Sequence, residues 1–237
     1  MQNLNVFKNI FNSISFIDIG WQIILDHSFE KVAFYFRFGY FFLLCYYVIM
    51  EIFYLNLKTF INALPAQEVE TLLTTYGRHF SSKKRRVEYA LGRYLVKNIA
   101  KKFYDLENVE IGVKNNKPFF LNQDLNFSIS HSKDIVLVAF SKHLIGADVE
   151  FMRKRDFCSI LARLNIVEEN PTCENFYKHW TAYEAKIKLQ DVTQQIYTYK
   201  ILPEYMLTLC TNTPAKENIE FYEVTQAGYS ICQFQQL

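Results

Sequence analysis

An alternating segment in the middle of the chain, residues 144–150, places the tightest constraint on the fold. Because successive side chains of a strand point to opposite sides, Asp148 and Glu150 would share one face of this strand with Gly146. The apolar side chains at the alternate positions are Ile145, Ala147, Val149 and Phe151. The segment therefore predicts a short strand that is apolar on one face and acidic on the other.

Two carboxylates at neighbouring positions of one face repel each other. The usual relief is a hard cation, a basic partner or a shifted pKa. Exposed strands also end in acidic residues quite often, so Asp148 and Glu150 alone leave a metal site and a solvated strand end both open.

Length and composition set the limits of what the chain can be. Its 237 residues suffice for one domain or for two small halves with a shared core. Half of the residues are hydrophobic and 17% are aromatic, which excludes general disorder. The net charge of +2 provides no bulk attraction to nucleic acid, so we expect no nucleic-acid partner.

The cysteines and histidines indicate a reduced protein without a zinc centre. The cysteines are Cys45, Cys158, Cys173, Cys210 and Cys232. Their spacing matches neither a zinc knuckle nor a disulfide scaffold, and the histidines form no HExxH motif. We expect reduced core cysteines in a cytoplasmic protein.

The most apolar run, residues 32–50, is just long enough to cross a membrane as a helix. Arg37 argues against this, because a charge costs roughly 2.5–3.5 kcal/mol at the centre of a spanning helix. Since a strand pattern begins after Met50, residues 1–49 are predicted to be an extension, with Met50 as the natural start. A membrane-associated segment and an integral part of the fold remain the alternatives, and a membrane partner is not expected.

Two helices follow the predicted strand at 51–57: one from Pro65 to Gly77 and a longer one from about Ser82 to Phe103. The apolar stripe of the longer helix consists of Val87, Leu91, Leu95 and Ile99. Gly92 lies in the middle of this helix, which indicates close packing at that point.

The long helix also carries a basic row, formed by Arg86, Arg93 and Lys97. The dense basic cluster at its beginning, residues 83–86, is equally typical of a solvated helix start.

The middle of the chain predicts short strands. Residues 115–118 have the composition of a turn, and strands are predicted at 127–132, 135–140 and 144–150. Their close succession favours an antiparallel meander.

A helix is predicted from Pro171 to Leu189, after a shorter one at 158–164. Its predicted core residues are Phe176, Trp180, Tyr183 and Ile187. A second line at spacing of four, Trp180, Glu184 and Lys188, places an acid and a base in register. An exposed Glu–Lys pair that only stabilises the helix explains this register equally well.

The order strand, helix, long helix, strands occurs twice. It predicts an α+β fold of two pseudo-symmetric α/β halves, each a small antiparallel sheet packed on a long helix. The predicted halves are residues 50–140 and 141–237, after the extension 1–49.

Three stretches together resemble the 4'-phosphopantetheinyl transferases, in particular the large surfactin-type class with two pseudo-symmetric halves. They are Phe-Ser-Ile-Ser-His-Ser at 127–132, Ile-Gly-Ala-Asp-Val-Glu at 145–150 and Trp-Thr-Ala-Tyr-Glu-Ala-Lys-Ile-Lys at 180–188. Weaker matches lie at 86–93 and 116–118. The resemblance covers the chain from about residue 50 onward.

The resemblance implies a Mg²⁺-dependent enzyme that moves the phosphopantetheine arm of coenzyme A onto a serine of an apo acyl or peptidyl carrier protein. Asp148, Glu150 and Glu184 would hold the Mg²⁺. Glu184 would also take the proton from the carrier serine, and Lys188 would neutralise charge on the transferred phosphate.

The resemblance also implies a grip on the coenzyme A phosphates. The side chains in this role would be Arg86, Arg93, Lys117, Ser130, His131 and Lys188. His131 would thereby take part in the catalytic set with Glu184 and Lys188.

One departure from the family pattern is Tyr183, which stands where the motif has a lysine. Two other functions stay open: a Mg²⁺-dependent phosphodiesterase with the same carboxylates, and a non-catalytic relative that binds coenzyme A or a carrier protein. We expect a monomer. The sequence does not identify the carrier protein or its pathway.

Overall fold

A computed structural model describes the strands Gln22–Leu25, Lys31–Tyr35 and Cys45–Tyr46 and residues 49–168, 171–213 and 218–237. The chain divides into two units, Met1–Tyr47 and Val48–Leu237. The three strands of the first unit, β1, β2 and β3 in chain order, form an antiparallel sheet in that order. Most of the apolar run 32–50, for which a membrane segment was one interpretation, lies outside the described residues.

The second unit contains ten strands and five helices among its described residues. The strands are β4 (Ile49–Asn56), β5 (Ile111–Lys114), β6 (Lys117–Phe120), β7 (Asn126–Ser132), β8 (Ile135–Ser141), β9 (Ile145–Phe151), β10 (Gln195–Leu202), β11 (Tyr205–Thr211), β12 (Asn218–Thr225) and β13 (Gly228–Cys232). The helices are α1 (Leu57–Asn62), α2 (Ala66–Tyr76), α3 (Lys83–Tyr104), α4 (Phe157–Arg163) and α5 (Cys173–Leu189).

A five-stranded sheet in the order β13-β12-β4-β8-β7 forms the centre of this unit. β4 lies in its middle, parallel to β12 and antiparallel to β8. The strand begins at Ile49, so Met50 is a buried residue inside it and does not precede it as the sequence pattern suggested. Alternate residues of β4 and β8 face opposite sides, and both sides of the sheet are buried.

The helix α3 packs on one side of this sheet through the predicted stripe of Val87, Leu91, Leu95 and Ile99, all of which are buried. Ser82 caps its first turn, since its hydroxyl accepts a hydrogen bond from the backbone N–H of Arg85. A Cβ on Gly92 would lie 2.9 Å from a methyl carbon of Ile129 on β7. The predicted close packing at Gly92 is therefore confirmed.

The three-stranded sheet β10-β11-β9 packs on the other side. The predicted meander was wrong at its last strand, because β9 pairs with β11 and not with β8. Both hydrogen-bonding edges of β8 are already taken by β4 and β7, so β9 cannot pair with β8 and stacks on this sheet instead. Its apolar face, which includes Ala147 and Val149, shares a core with β8.

The helix α5 covers the outer side of the three-stranded sheet. Its buried residues are Phe176, Tyr177, Thr181, Ala185 and Leu189. Of the four predicted core residues, Phe176 is buried and Trp180 is half-buried, but Tyr183 and Ile187 are 43% and 52% exposed. Tyr183 and Ile187 each follow a buried residue by two positions, which places them on the outer side of the helix.

The mixed α+β class is confirmed. The five-stranded sheet is not wholly antiparallel, because β12 enters it parallel to β4. The pseudo-symmetry and the boundaries of the predicted halves stay predictions. In the described part of the chain, no helix combines the length and apolar character needed to cross a bilayer.

The cysteines whose side chains are described, Cys158, Cys173, Cys210 and Cys232, are free thiols. Only Cys210 among these four is buried, so the prediction of core cysteines holds for one of them and fails for the exposed Cys158.

Candidate functional site

Three serine hydroxyls on one face of β7 accept hydrogen bonds from alternate backbone N–H groups of β9. The pairs are Ser128 with Ala147 (3.0 Å), Ser130 with Val149 (3.1 Å) and Ser132 with Phe151 (3.0 Å). Because β9 is an edge strand, these N–H groups have no partner strand of their own. The serines take the place of that partner and bind the two sheets together at this point.

Two of the three serines also bind the acidic face of β9. The hydroxyl of Ser130 donates to Asp148 Oδ1 at 2.9 Å, and the hydroxyl of Ser132 donates to Glu150 Oε2 at 2.6 Å. Each of these serines thus accepts from a backbone N–H and donates to the carboxylate of the preceding residue of β9.

Gly146 determines how closely α5 approaches β9. A Cβ at this position would lie 2.1 Å from the carbonyl oxygen of Ala185 and 2.6 Å from the backbone nitrogen of Leu189. Since both neighbours are backbone atoms, no side chain fits here without a shift of the helix. The glycine two residues before Asp148 is therefore what brings α5 over the acidic face.

Two side chains of α5 bind the two carboxylates. Lys188 Nζ donates to Asp148 Oδ1 at 2.7 Å, and Trp180 Nε1 donates to Glu150 Oε1 at 3.3 Å. Lys188 Nζ also lies 2.9 Å from Ser130 Oγ and 3.1 Å from the carbonyl oxygen of Ala147. The helix and the strand run in opposite directions, so the register predicted for Trp180 and Lys188 falls along the acidic pair.

Asp148 is buried beside these donors. Its burial raises the pKa of the carboxyl group to about 6, although Lys188 and the Ser130 hydroxyl lower it and Glu150 raises it further. Its second oxygen, Oδ2, is buried and makes no hydrogen bond within the described part of the chain. The repulsion between Asp148 and Glu150 is thus reduced by Lys188, which binds Asp148 Oδ1. Asp148 Oδ2 has no partner among the described residues.

Glu184 lies one helical turn from Trp180 and one from Lys188, on the same line of α5, and therefore between their contacts to Glu150 and Asp148. Within residues 50–168, 171–213 and 218–237, no three His, Cys, Asp or Glu side chains are grouped closely enough to hold a metal ion by themselves. The site of Asp148, Glu150 and Glu184 stays a prediction. Hard oxygen donors and the unpartnered Oδ2 of Asp148 suit a cation such as Mg²⁺, which takes few protein carboxylates.

His131 lies between the serines of β7 and points to the other side, toward α3. Its Nδ1 is 3.5 Å from Glu88 Oε2, and its side chain is 41% exposed. Burial lowers the pKa of His131, Glu88 opposes this, and the charges of Lys188 and Arg85 lower the pKa further. His131 thus has charged groups on both sides of β7 within electrostatic range.

Arg86 and Arg93 lie on the outer side of α3. A Cβ on Gly77 would be 3.3 Å from Arg86 Nε, which places this arginine beside the end of α2. The guanidinium carbon of Arg93 is 5.2 Å from the ring centre of Tyr89. The arginine whose charge acts on His131 is Arg85, which the sequence analysis did not single out.

Lys117 joins three elements. It begins β6, after a turn in which Asn115 and Asn116 have φ of 50° and 63°. Its Nζ donates to the carbonyl oxygens of Ile145 at 3.0 Å and Leu189 at 3.4 Å, and burial lowers its pKa to about 8. Lys117 thus fixes the turn to the start of β9 and to the end of α5.

The structure therefore brings Ser130, Asp148 and Lys188 into direct contact, with Glu150 close enough to raise the pKa of Asp148. It shows no contact of the Glu184 side chain with them among the described residues. Sequence reasoning missed the contacts of Ser132, Trp180 and Arg85. The alternation of Ser130 and Ser132 on β7 was a signal for the first, since it places both hydroxyls on one face.

No protein-family model matches the chain. A Haemophilus influenzae protein that is provisionally named a 4'-phosphopantetheinyl transferase is 31% identical to it over 86 residues. The match covers 31% of this chain and 37% of that protein, so it spans little more than a third of the relative's length.

Proposed function

We propose that this chain is a 4'-phosphopantetheinyl transferase of the surfactin type. It would move the phosphopantetheine arm of coenzyme A to a serine of an apo acyl or peptidyl carrier protein, with Mg²⁺ as the cofactor. One observation carries the proposal. Three stretches that are far apart in the sequence meet in the contacts of Ser130, Asp148 and Lys188. The partial similarity to the Haemophilus influenzae protein also supports it.

Asp148, Glu150 and Glu184 are the proposed holders of the Mg²⁺, because Asp148 and Glu150 contact α5 and Glu184 lies on the same line of that helix, between Trp180 and Lys188. The ion would supply positive charge for the pyrophosphate of coenzyme A. Glu184 is the proposed base for the carrier serine. Lys188, which already neutralises Asp148, would place its charge beside the transferred phosphate.

The pyrophosphate of coenzyme A would lie at the contact of β9 and α5, and its 3'-phosphate on the opposite side of β7, near His131. Of the proposed phosphate ligands, Ser130, Lys117 and Lys188 already donate hydrogen bonds within the protein. Arg85, whose charge acts on His131, joins His131 in the proposed grip, while Arg86 and Arg93, on the outer side of α3, stay predictions. Arginine suits this role because its planar fork binds two phosphate oxygens at once.

The remaining parts of the proposal are a monomer in the cytoplasm and two related halves. Free cysteines support a reducing compartment. The two long helices α3 and α5, each packed on a sheet, support two related halves.

The test is release of 3',5'-ADP from coenzyme A in the presence of Mg²⁺ and a panel of apo carrier proteins. Glu150→Gln should lower the rate by at least about a hundredfold, since it removes a charged ligand of the ion. Glu174→Gln is the control, because this glutamate lies on the same helix and pairs with the surface lysines Lys178 and Lys200.

Each other result supports a different function. Release that does not depend on a carrier protein indicates a phosphodiesterase. Binding of coenzyme A without release, for every carrier tested, indicates a non-catalytic relative.

A further inference from the structure

Glu150 receives one hydrogen bond on each of its carboxylate oxygens, from two different elements. Ser132 of β7 donates to Oε2 at 2.6 Å, and Trp180 of α5 donates to Oε1 at 3.3 Å. A glutamate side chain has several rotatable bonds, and two donors on different oxygens fix both its direction and the plane of its carboxylate.

Both donors are themselves fixed. The Ser132 hydroxyl also accepts from the backbone N–H of Phe151 at 3.0 Å, so its hydrogen is directed toward Glu150. The Trp180 ring is stacked on Phe176, with ring centres 6.2 Å apart at an interplanar angle of 10°. Phe176 is fully buried.

With these two hydrogen bonds in place, the Glu150 carboxylate can still bind a cation. A carboxylate accepts about four hydrogen bonds or ligand bonds in total, and Glu150 uses two of them for Ser132 and Trp180. Carboxylates that bind metals are commonly oriented by such neighbouring donors, whose loss typically weakens metal affinity about 10–100-fold.

We propose that Ser132 and Trp180 are positioning residues that orient Glu150 to bind a divalent cation. The inference rests on the proposed function, in which Glu150 is a ligand of Mg²⁺. It adds that cation affinity depends on two neutral side chains that carry no ligand atom themselves.

The serines of β7 provide a matched control. Ser128 accepts from the backbone N–H of Ala147 at 3.0 Å, as Ser132 does from Phe151. The residue before Ala147 is Gly146, however, so Ser128 has no carboxylate to orient at that position. Ser128→Ala therefore removes a bond between β7 and β9 and leaves the carboxylates with their donors.

The measurement is direct titration of the full-length protein with Mn²⁺, by calorimetry and by the fluorescence of Trp180 in a Trp21→Phe background. Mn²⁺ quenches indole emission, and Trp21 and Trp180 are the only tryptophans of the chain. Ser132→Ala and Trp180→Phe should each weaken Mn²⁺ binding by about tenfold or more, and Ser128→Ala by less than about twofold. The fluorescence readout applies to the serine variants, and calorimetry to all.

Ser132→Thr retains the hydroxyl and should restore Mn²⁺ affinity to within about threefold of the wild type. In transfer assays the positioning variants should need more Mg²⁺ for half-maximal rate, with a kcat near that of the wild type at saturating Mg²⁺. Thermal melts should show that both serine variants still fold cooperatively. Ser132→Ala should melt at or slightly below Ser128→Ala, since it loses the bond to Glu150 as well as the bond to Phe151.

Equal Mn²⁺ affinities of Ser128→Ala and Ser132→Ala would overturn the proposal, and so would unchanged affinity in Trp180→Phe or no Mn²⁺ binding by the wild type. The transferase function is decided separately. If the wild type transfers the arm but the variants bind Mn²⁺ equally, only the positioning role fails. If the affinities differ as expected but no carrier is modified, the positioning role stands and the transferase function fails.

Discussion

At the scale of single residues, the site depends on how the charge of Asp148 is compensated. Its Oδ1 is bound by Lys188 and Ser130, and its burial is nearly complete. Removing one partner of a buried ion pair leaves an uncompensated charge and typically costs about 3–5 kcal/mol. Lys188 is therefore important for stability as well as for the proposed chemistry, and variants of it report on both.

Tyr183 is a better position than Lys188 for testing the effect of charge on the rate alone, because Tyr183 is exposed. Tyr183→Lys should change the free energy of unfolding by less than about 0.5 kcal/mol, as is usual for surface substitutions. If a phosphate binds beside Lys188, the added cation should raise the transfer rate by about fivefold at low salt, an effect that fades as salt is added.

Thermal melting and transfer rate measured on the same protein check this expectation. Ile187→Lys, also exposed and one turn further along α5, is the control for a general effect of charge. A large loss of stability in Tyr183→Lys would contradict the exposed position, and an equal rate increase in both variants would contradict a specific effect at 183.

At the scale of elements, Gly146 couples α5 to β9. Gly146→Ala should destabilise the protein by about 2–3 kcal/mol, because the new Cβ meets backbone atoms of the helix that cannot rotate away. The transfer rate should fall as well, since Trp180 and Lys188 would shift from the carboxylates.

Gly92→Ala is the matched control, because its Cβ would meet a methyl group of the Ile129 side chain. Chemical denaturation of both variants gives the two free energies of unfolding. Gly146→Ala with wild-type stability and rate would show that the close approach of α5 is not required.

The elements themselves were largely predictable, and their partners were not. Helical spacing identified α3 and its stripe of Val87, Leu91, Leu95 and Ile99, because one face of that helix is apolar. On α5 two faces were apolar, and spacing could not decide between Tyr177 with Thr181 and Tyr183 with Ile187. Contact with β11, where Thr181 Oγ1 lies 2.7 Å from Thr208 Oγ1, decides it.

The local sequence pattern could not predict the strand with which β9 pairs, for a similar reason. Its sequence specifies an apolar and an acidic face, but not which edge it joins. That depends on the occupied edges of β8 and on β11, which lies more than fifty residues later in the chain. The acidic pair and its helical partner Lys188 were predictable, whereas the donors to Glu150 depend on this packing.

At the scale of the whole molecule, the unit Val48–Leu237 contains two large hydrophobic core clusters among its described residues. A chain that starts at Met50 should therefore fold, since from the described strands of this unit it lacks only Ile49 of β4. A chain that starts at Phe53 should not, because it loses the pairing of Met50 and Ile52 with Ile219 and Phe221 of β12.

Soluble expression and a cooperative thermal melt distinguish the two truncated chains. Failure of the chain that starts at Met50 would show that residues 1–49 are an integral part of the fold.

The most direct measurement is the intact mass of an apo carrier protein after incubation with the protein, coenzyme A and Mg²⁺. We expect the carrier to gain the mass of one phosphopantetheine arm, with release of one 3',5'-ADP, and a carrier whose acceptor serine is replaced by alanine to gain nothing. Release of 3',5'-ADP at the same rate with the alanine carrier, and no gain in mass by either carrier, would contradict the proposed transfer.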